Sequence, residues 1–356
     1  MSSKPSLTKF INQSIDKARA AETHDGIHQV ARDIAEYGPL KYNFLPWFVL
    51  AGILVSFALI IAVLVFSYEP SARAFSRYSM QNGYDPFFMS ILWIASPLVV
   101  SGIVVAIVAH LNRKINTLTS VLLLRDALMD YELRPVKPLS IRYLEASVGD
   151  FRRGNHSRSI KDCYEGRGGD DRRPYAFTAF RFHYVDKETR RTSKNGKTTT
   201  ETVYFHYDRS GIVLPFEFLT GVHVAQSMTE SFYDATFTSA SIRFNNLFLC
   251  RSETDLAAAR LLKPAVVEAL SDAAEKIRSL TVEISLNNKM YITCEERHIL
   301  DPLIKVEGDP AKDPRINPQG FYELILGHSK MPHLDALLEL ADTLIRFSDS
   351  NFKRRG

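Results

Sequence analysis

Two long stretches of this sequence lack any charged residue, and that absence says most about where the protein resides. Residues 42–68 and 86–109 contain no Asp, Glu, Lys or Arg. A helix needs roughly 20 apolar residues to cross the hydrocarbon core of a bilayer. The two runs therefore predict membrane-spanning helices at about residues 46–68 and 87–110. The alternative is a pair of buried helices in a soluble protein, which uncharged runs of this length disfavour.

The predicted spans also lack Asp, Glu, Lys and Arg, and their one histidine, His110, lies at the very end of the second span, which argues against a proton relay, an ion pathway or a voltage sensor. Pro97 lies inside the second span, where a membrane helix tolerates proline. A transporter or channel would need oligomerisation to build a polar pathway. A homo-oligomer remains one of the alternatives. Small residues that allow the two helices to pack closely are Ser56, Ser96, Ser101 and Gly102.

Cysteine is scarce. Cys163, Cys250 and Cys294 are odd in number and lack metal-ligand spacing, as expected in a reducing compartment. Cys163 is a weak candidate nucleophile, because the sequence predicts a polar loop there with no base to activate the thiol. An idle thiol is the favoured interpretation.

Common enzyme signatures are missing as well. The sequence has no Walker loop, GxSxG, HExxH or paired CxxC motif, and no cofactor is expected. The segment "GRGGDD", residues 166–171, lacks the preceding strand and following helix of a phosphate loop, so we expect a flexible turn. The basic segment "FRRGNHSR" has no aromatic-studded sheet or recognition helix beside it, and we expect no nucleic-acid partner.

Basic residues near the spans predict the topology. Arg113, Lys114 and Arg125 follow the second span, whereas the loop at residues 69–85 carries only Arg73 and Arg77. The positive-inside rule then places both termini in the cytoplasm of a multi-pass protein of the bacterial inner membrane. The first apolar run begins more than forty residues into the chain, so we do not expect a cleavable signal peptide.

The sequence divides into four predicted segments. Residues 1–41 read as one or two cytoplasmic amphipathic helices or, equally, a frayed tail. Residues 42–110 form the transmembrane hairpin, and residues 111–139 continue its second helix and end in a linker. Residues 140–356 form a cytosolic domain in which runs of antiparallel strands precede helices, so the fold class is α+β. Predicted strands are "YAFTAFRFHYV", "TVYFHYD", "GIVLPFEFL", "SIRFNNLFLC", "TVEISL" and "KMYITC".

Local signals also predict helices and a second hairpin in this domain. Asp255 is the expected N-cap of one helix, and Pro264 is expected to open the next. A tight turn at Asn287-Asn288 would join the last two strands. The segment "HLDALLELADTLIRFSD" has the apolar spacing of an amphipathic helix.

A family resemblance rests on "FNNLFLCRSETDLAAARLLKPAVVEAL", "VEISLNNKMYI" and "ILDP", with a weaker match at "SIKDCYEGRGGDDRRPYAFTAFRFHYV". The chain resembles the bacterial membrane proteins of domain-of-unknown-function family 3137. The resemblance implies a pair of membrane helices followed by a cytosolic domain, and no activity. The residues that carry it are Phe244, Phe248, Ala259, Arg260, Leu262, Pro264, Asn287, Asn288, Tyr291 and Pro302.

A hairpin centred on Asn195-Gly196 brings two histidines and an aspartate together. The predicted register pairs His183 with Asp208, and it places His206 diagonally from His183 on the same face. The three side chains could bind a metal or act as acid and base. The favoured alternative is that they are the water-facing side of an amphipathic hairpin, because a closed metal site needs a third or fourth ligand and a concave pocket, which no nearby residue obviously supplies. The opposite face carries Phe180, Phe182, Tyr184, Val203, Phe205 and Tyr207.

The hairpin tip is strongly basic. Between residues 187 and 197 five basic residues face only Glu188, which leaves four net positive charges. We expect either a solvated tip that protects a sheet edge or a contact with the anionic lipid headgroups of the membrane. The candidate contact residues are Lys187, Arg190, Arg191, Lys194 and Lys197.

These observations predict a non-catalytic binding or scaffold module held at the membrane surface. Its expected partners are the lipid bilayer and an unidentified membrane or cytosolic protein. The alternative is a membrane-tethered metal-dependent or hydrolytic enzyme that uses residues of the strand region.

Overall fold

The computed structural model describes residues 5–66, 69–194, 197–227, 230–296, 299–302, 306 and 309–348. The chain divides into two compact units. One comprises Met1–Arg125 with Lys305–Gly327, and the other comprises Asp126–Ile304 with His328–Gly356. We refer to them as the helical unit and the sheet unit.

The helical unit begins with two short amphipathic helices, α1 (Leu7–Ala20) and α2 (His24–Tyr37). The Thr23 hydroxyl accepts a hydrogen bond from Gly26 N and caps α2. The α10 helix (Pro318–Leu326) returns from late in the sequence and packs on α2. The prediction of one or two amphipathic helices is confirmed, since two are present, and the frayed-tail alternative is wrong. Their apolar stripe is buried at Ile11, Ile15, Ala18, Ile27, Val30, Ala31 and Ile34.

Two long apolar helices follow. α3 spans Leu45–Phe66 and α5 spans Pro86–Asp130, with a shorter helix, α4 (Glu69–Gln81), between them. α5 runs without interruption through Pro97 for 45 residues, a length of about 67 Å at the usual rise per residue. It ends at Asp130, within the segment 111–139 that was predicted to continue the helix and then form a linker. α3 and α5 are both long and apolar enough to cross a membrane.

A nine-stranded antiparallel sheet forms the second unit in the part of the chain described. Its strand order is β1-β2-β3-β4-β9-β8-β5-β7-β6. β3 and β4 form a hairpin of unusual length, and they carry the predicted histidines. The strands are β1 Arg134–Pro135, β2 Ser157–Gly168, β3 Tyr175–Lys194, β4 Lys197–Pro215, β5 Val222–Ala225, β6 Ala235–Phe237, β7 Leu249–Ser252, β8 Thr281–Ile284 and β9 Lys289–Cys294.

Helices pack against this sheet, which gives the predicted α+β class. α8 packs on β5 and β7, and α11 packs on α8 and α9. α6 and a one-turn 3-10 helix, Gly149–Arg152, lie against the strands and insert Phe151 into an aromatic cluster. The helices are α6 Ile141–Ser147, α7 Ile242–Leu247, α8 Asp255–Leu261, α9 Pro264–Lys276 and α11 Pro332–Ser348. The aromatic cluster includes Phe151, Phe180, Phe182, Tyr184 and Tyr291.

The structure corrects several predicted elements. The segment "SIRFNNLFLC" is not one strand, because α7 occupies Ile242–Leu247 and only its end belongs to β7. The two strands predicted on either side of Asp208 are one continuous strand, β4. The predicted β8–β9 hairpin is confirmed, and Asn288 adopts the positive φ (57°) expected in its turn.

Of the two predicted helix starts, that of α9 is confirmed and the N-cap of α8 is wrong. Thr254, and not Asp255, is the N-cap of α8, since its hydroxyl accepts from Ala257 N at 3.2 Å. Asp255 lies in the first turn, where its charge favours the helix dipole. Pro264 does open α9, and the predicted C-terminal amphipathic helix is α11.

Candidate functional site

The β3–β4 hairpin has the predicted register. His183 pairs with Asp208, Val185 pairs with His206, and Lys194 pairs with Lys197. The turn residues Asn195 and Gly196 lie outside the described part of the chain.

The hairpin brings the two histidines and the aspartate into direct contact. His183 Nδ1 lies 2.9 Å from Asp208 Oδ1, and His206 Nδ1 lies 3.3 Å from His183 Nε2. The two imidazole rings are nearly parallel, with centroids 5.4 Å apart. The three side chains therefore form a chain of contacts. Asp208 contacts His183 through Nδ1, and His206 contacts the other ring nitrogen of His183, Nε2.

Water reaches this face unevenly. The side chains of His183 and Asp208 are only 15% and 11% exposed, whereas His206 is exposed. Val185, on the same face, is buried. The expectation that the whole face is left to water is therefore wrong for its inner part. Side chains at this boundary interact more strongly with each other than they would in bulk water, and they still contact solvent.

Further out, the hairpin is a two-stranded ribbon. β2 pairs with β3 no further than Val185, and β9 pairs with β4 only from Ser210. Asn155 closes the base of the ribbon, because its side chain accepts from Lys187 N at 2.7 Å. Beyond that point the described part of the ribbon consists of β3 and β4 alone.

The net charge of the tip is lower when more of its second strand is counted. Lys187, Arg190 and Arg191 are exposed, and Arg190 donates to Glu188 at 3.0 Å. The register also places Glu201 opposite Arg190. Over residues 187–203 five basic residues thus face two acidic ones, which leaves three net positive charges. The backbone of Lys194 and Lys197 belongs to the same ribbon.

A second group of charged side chains, which sequence reasoning missed, lies beneath the 3-10 helix. Asp150 is 1% exposed and so is Arg209, and Arg209 Nε donates to Asp150 Oδ2 at 2.9 Å. Arg153 Nε donates to the other carboxylate oxygen at 2.6 Å, and the Thr293 hydroxyl adds a contact at 2.6 Å. Burial alone would raise the pKa of Asp150, but Arg209 and Arg153 outweigh it and lower the pKa to about 2.

Arg209 also contacts β8, β9 and the turn before β8 through one of its terminal nitrogens. Its Nη2 donates to Ser279 O at 2.9 Å and to the hydroxyls of Thr281 and Thr293 at 3.3 Å. Its Nη1 is buried without a hydrogen bond, 3.9 Å from Glu295 Oε1. Because Phe182 pairs with Arg209, this guanidinium lies on the aromatic face of the hairpin.

Two further ionisable groups are buried beside it. Both carboxylate oxygens of Glu283 lie 3.0 Å from Gly149 N, so this side chain holds the start of the 3-10 helix. Burial raises the pKa of Glu283 to about 8. His223 pairs with Glu283 on the next strand, and burial lowers the pKa of its imidazole to about 4. Glu283 and His223 are thus both held mainly neutral at pH 7.

This buried cluster acts as a clamp between the 3-10 helix and the sheet. Asp150 and Arg209 are closed to solvent, and they bind each other, the side chains of Arg153, Thr281 and Thr293, and the backbone of Ser279. Chemistry on a substrate needs a reacting group that the substrate can reach. The sequence signal that could have revealed the cluster is a single charged residue in an otherwise uncharged strand, as in "TVEISL", or on an aromatic strand face, as for Arg209 in "YFHYDRSG".

The glycine segment at residues 166–171 has a structural role. β2 extends to Gly168, so a strand does precede the turn, contrary to expectation, although a strand and not a helix follows. Asp170 Oδ1 accepts from the backbone N–H groups of Arg172 and Arg173 at 3.0 and 2.9 Å. The turn borders a cavity of about 530 Å³ beside α11. Tyr175 closes one side, with its hydroxyl 2.7 Å from Asp342 Oδ1.

Cys163 is not in a polar loop, as the sequence suggested. It lies in β2, is 4% exposed, and packs in the aromatic cluster with Phe180 and Phe182. Burial raises the pKa of its thiol, which disfavours the nucleophilic thiolate. The idle-thiol interpretation fits this environment.

The basic segment Phe151–Arg158 is largely tied into the fold. Arg158 Nε donates to Arg153 O at 2.7 Å, and Arg158 Nη1 donates to Glu145 Oε1 at 3.1 Å. Arg153 is held by Asp150. These guanidinium groups are therefore engaged in contacts within the sheet unit.

Comparisons with known proteins add no relative from which a role could be transferred. No family model, no curated protein and no solved structure matched this chain.

Proposed function

We propose that this chain is an integral protein of the bacterial inner membrane whose sheet unit is a non-catalytic binding module at the membrane surface. The observation that carries this proposal is the exposure of the apolar side chains of α3 and of the first half of α5. Only 11% and 22% of the residues in their most apolar windows are buried inside the protein.

The exposure separates these helices from core helices. A core helix of a soluble protein buries its apolar side chains against other elements. Here Trp47, Phe48, Ile53, Phe87 and Phe88 are between 43% and 67% exposed. Apolar surface of this extent is unfavourable in water at roughly 25 cal/mol per Å². A hydrocarbon environment removes that cost.

Topology is the second part of the proposal. Lys41, Arg113, Lys114 and Arg125 favour the cytoplasmic side for both termini, and α4 then lies on the opposite side. The resemblance to family 3137, with its two membrane helices and cytosolic domain, supports the same arrangement and is proposed with it.

The basic ribbon supports a contact with anionic headgroups. Lys187, Arg190 and Arg191 are exposed on a projecting two-stranded ribbon. Each basic residue close to an anionic leaflet contributes roughly 1 kcal/mol of attraction. The contact should weaken as salt screens it. The proposed scaffold role also includes a protein partner that binds the sheet unit.

Topology can be tested with single reporter cysteines on intact cells. The natural cysteines are buried, so an impermeant maleimide should label only an added, exposed thiol. Gln81→Cys and Ala146→Cys place thiols at exposed positions on α4 and α6. We expect labelling of Gln81→Cys before cell lysis and of Ala146→Cys only after it. The reverse pattern would invert the proposed topology.

Lipid contact can be tested on the full chain in nanodiscs. An environment-sensitive dye at Thr189→Cys, an exposed position in the ribbon, reports on the surroundings of the tip. We expect protection from a neutral aqueous quencher in anionic discs at low salt, and little in neutral discs. Changing Lys187, Arg190 and Arg191 to Ser should abolish the difference. A dye signal that does not change with lipid charge, with salt or with these substitutions would exclude a membrane role for the tip.

A further inference from the structure

The contact between His183 and His206 has the dimensions of a metal-binding pair. The two facing nitrogens, His183 Nε2 and His206 Nδ1, are 3.3 Å apart. Two imidazole nitrogens that bind one tetrahedral Zn²⁺ at 2.0–2.1 Å are separated by about 3.3–3.4 Å. Binding can therefore keep this separation if the exposed His206 ring turns so that its Nδ1 lone pair points at the ion.

Asp208 supplies what a metal-binding histidine commonly needs behind it. Its Oδ1 lies 2.9 Å from His183 Nδ1. A carboxylate in this place accepts a hydrogen bond from Nδ1–H, fixes the tautomer, and leaves the Nε2 lone pair directed outward. The side chains of His183 and Asp208 are largely buried, at 15% and 11% exposed, so the orientation of this imidazole is built into the sheet.

We propose that His183 and His206 bind a divalent transition-metal ion of the kind that prefers imidazole, such as Zn²⁺ or Cu²⁺, with Asp208 as the positioning residue. His183 would bind through Nε2 and His206 through Nδ1. His206 then carries its ring proton on Nε2. The remaining coordination positions are open to water, because His206 lies at the exposed end of the pair.

The strands make this pair rigid. His183 pairs with Asp208 and Val185 pairs with His206 in one continuous ladder. Ser159 of β2 pairs with His183 from the other side, so β3 is held by two neighbours at this point. Two ligands on adjacent, hydrogen-bonded strands lose little conformational freedom when they bind. This proposal is independent of the membrane contact proposed for the ribbon tip.

The test is metal binding by the full chain in detergent, after removal of metal with a chelator and dialysis. His24 and His28 on α2 form another imidazole pair, with ring centroids 5.7 Å apart. His24→Ala with His28→Ala therefore serves as the background for every measurement. Titration with ZnCl₂ should show one bound ion per chain in this background. His206→Ala should abolish it, and Asp208→Asn should weaken it about 10- to 100-fold.

Two controls separate binding at this site from other effects. His333→Ala removes a histidine elsewhere in the sheet unit and should leave Zn²⁺ affinity unchanged. The exposed position of His206 lets His206→Ala fold, and protection of the buried Cys163, Cys250 and Cys294 from a thiol reagent verifies this. With CuCl₂ at one equivalent, paramagnetic resonance should show coupling to two imidazole nitrogens in the background protein and loss of it in His206→Ala.

Either of two results would overturn the proposal. One is the absence of stoichiometric Zn²⁺ or Cu²⁺ binding in the His24→Ala, His28→Ala background. The other is binding that persists unchanged in His206→Ala, which would place the ion elsewhere. Weakening by Asp208→Asn of the folded protein, with His333→Ala unaffected, would support the role of Asp208 in orienting His183.

Discussion

Arg209 Nε lies 2.9 Å from Asp150 Oδ2, and this ion pair joins a 3-10 helix to the middle of the sheet with both side chains about 1% exposed. Residues 150 and 209 are far apart in sequence, so the pair fixes a long-range contact. A buried pair of this kind is a weak source of net stability, but breaking it leaves a charge without compensation.

Removing the carboxylate should therefore be costly. We expect Asp150→Ala to lower the free energy of unfolding by about 3–5 kcal/mol, because Arg209 stays buried without its anion. Denaturant-dependent reactivity of Cys163, Cys250 and Cys294 measures this, since all three are buried in the sheet unit.

The matched control is the exposed pair of Arg190 and Glu188. Arg190→Ala should change the free energy of unfolding by no more than about 1 kcal/mol, since exposed ion pairs contribute little. Equal effects of Asp150→Ala and Arg190→Ala would contradict the assignment of Asp150 as a clamp.

The stability of the sheet unit should depend on pH through Glu283 and His223. The folded-state pKa of Glu283 is raised from 4.5 to about 8, so its contribution is present at low pH and is lost as pH rises toward 8. The folded-state pKa of His223 is lowered from 6.5 to about 4, so its contribution is lost as pH falls from 6.5 toward 4. The two slopes oppose each other between about pH 4.5 and 6.5.

Above pH 6.5 only the Glu283 slope remains. The free energy of unfolding should then fall toward pH 8, by at most about 1.4 kcal/mol per pH unit for one proton. Glu283→Gln should remove this fall and leave the low-pH limb in place. Unfolding by denaturant at a series of pH values, followed by far-ultraviolet circular dichroism, tests it. A fall of the same slope in Glu283→Gln would assign the titration to another group.

The two phenylalanines of the hairpin should differ in cost. Phe182 is 1% exposed in the aromatic cluster, whereas Phe205 is only partly buried under the guanidinium of Arg190, 5.5 Å from its ring centroid. We expect Phe182→Ala to lower the free energy of unfolding by about 3–5 kcal/mol. Phe205→Ala should cost about 1 kcal/mol, as for a partly exposed site. Chemical denaturation of both variants measures the difference, and similar costs would refute this view of the hairpin.

The start of α8 offers a smaller, sharper comparison. Thr254→Ala removes the hydroxyl that caps Ala257 N and should cost about 1 kcal/mol. Asp255→Asn removes only a first-turn charge and should cost roughly 0.3–0.5 kcal/mol. The same thiol-reactivity titration can rank the two variants. A larger loss in Asp255→Asn would restore Asp255 as the cap.

Local signals made part of the fold predictable. The uncharged runs located α3 and the apolar half of α5, and Asn195-Gly196 set the register of β3 and β4. The pairing of His183 with Asp208 followed from that register. These features depend on residues close together in sequence or on a simple periodicity.

Other features depended on distant partners and escaped prediction. α7 forms in a segment rich in strand-favouring residues, because it packs on α9, where Arg243 binds the carboxylates of Glu268, Asp272 and Glu275. The buried cluster joins Asp150 to Arg209 and Thr293, which no local pattern connects. Tertiary contacts of this kind override propensity.

The two-stranded ribbon beyond Val185 and Ser210 has a consequence for how the tip meets any partner. An isolated pair of strands is marginally stable in water. Its backbone amides should therefore exchange with deuterium far sooner than those of Ile212 and Ile292, which pair in the interior of the sheet. Any surface that binds the ribbon must therefore also order the two strands. Binding should slow amide exchange along β3 and β4, and the affinity should be reduced by the free energy of ordering the strands.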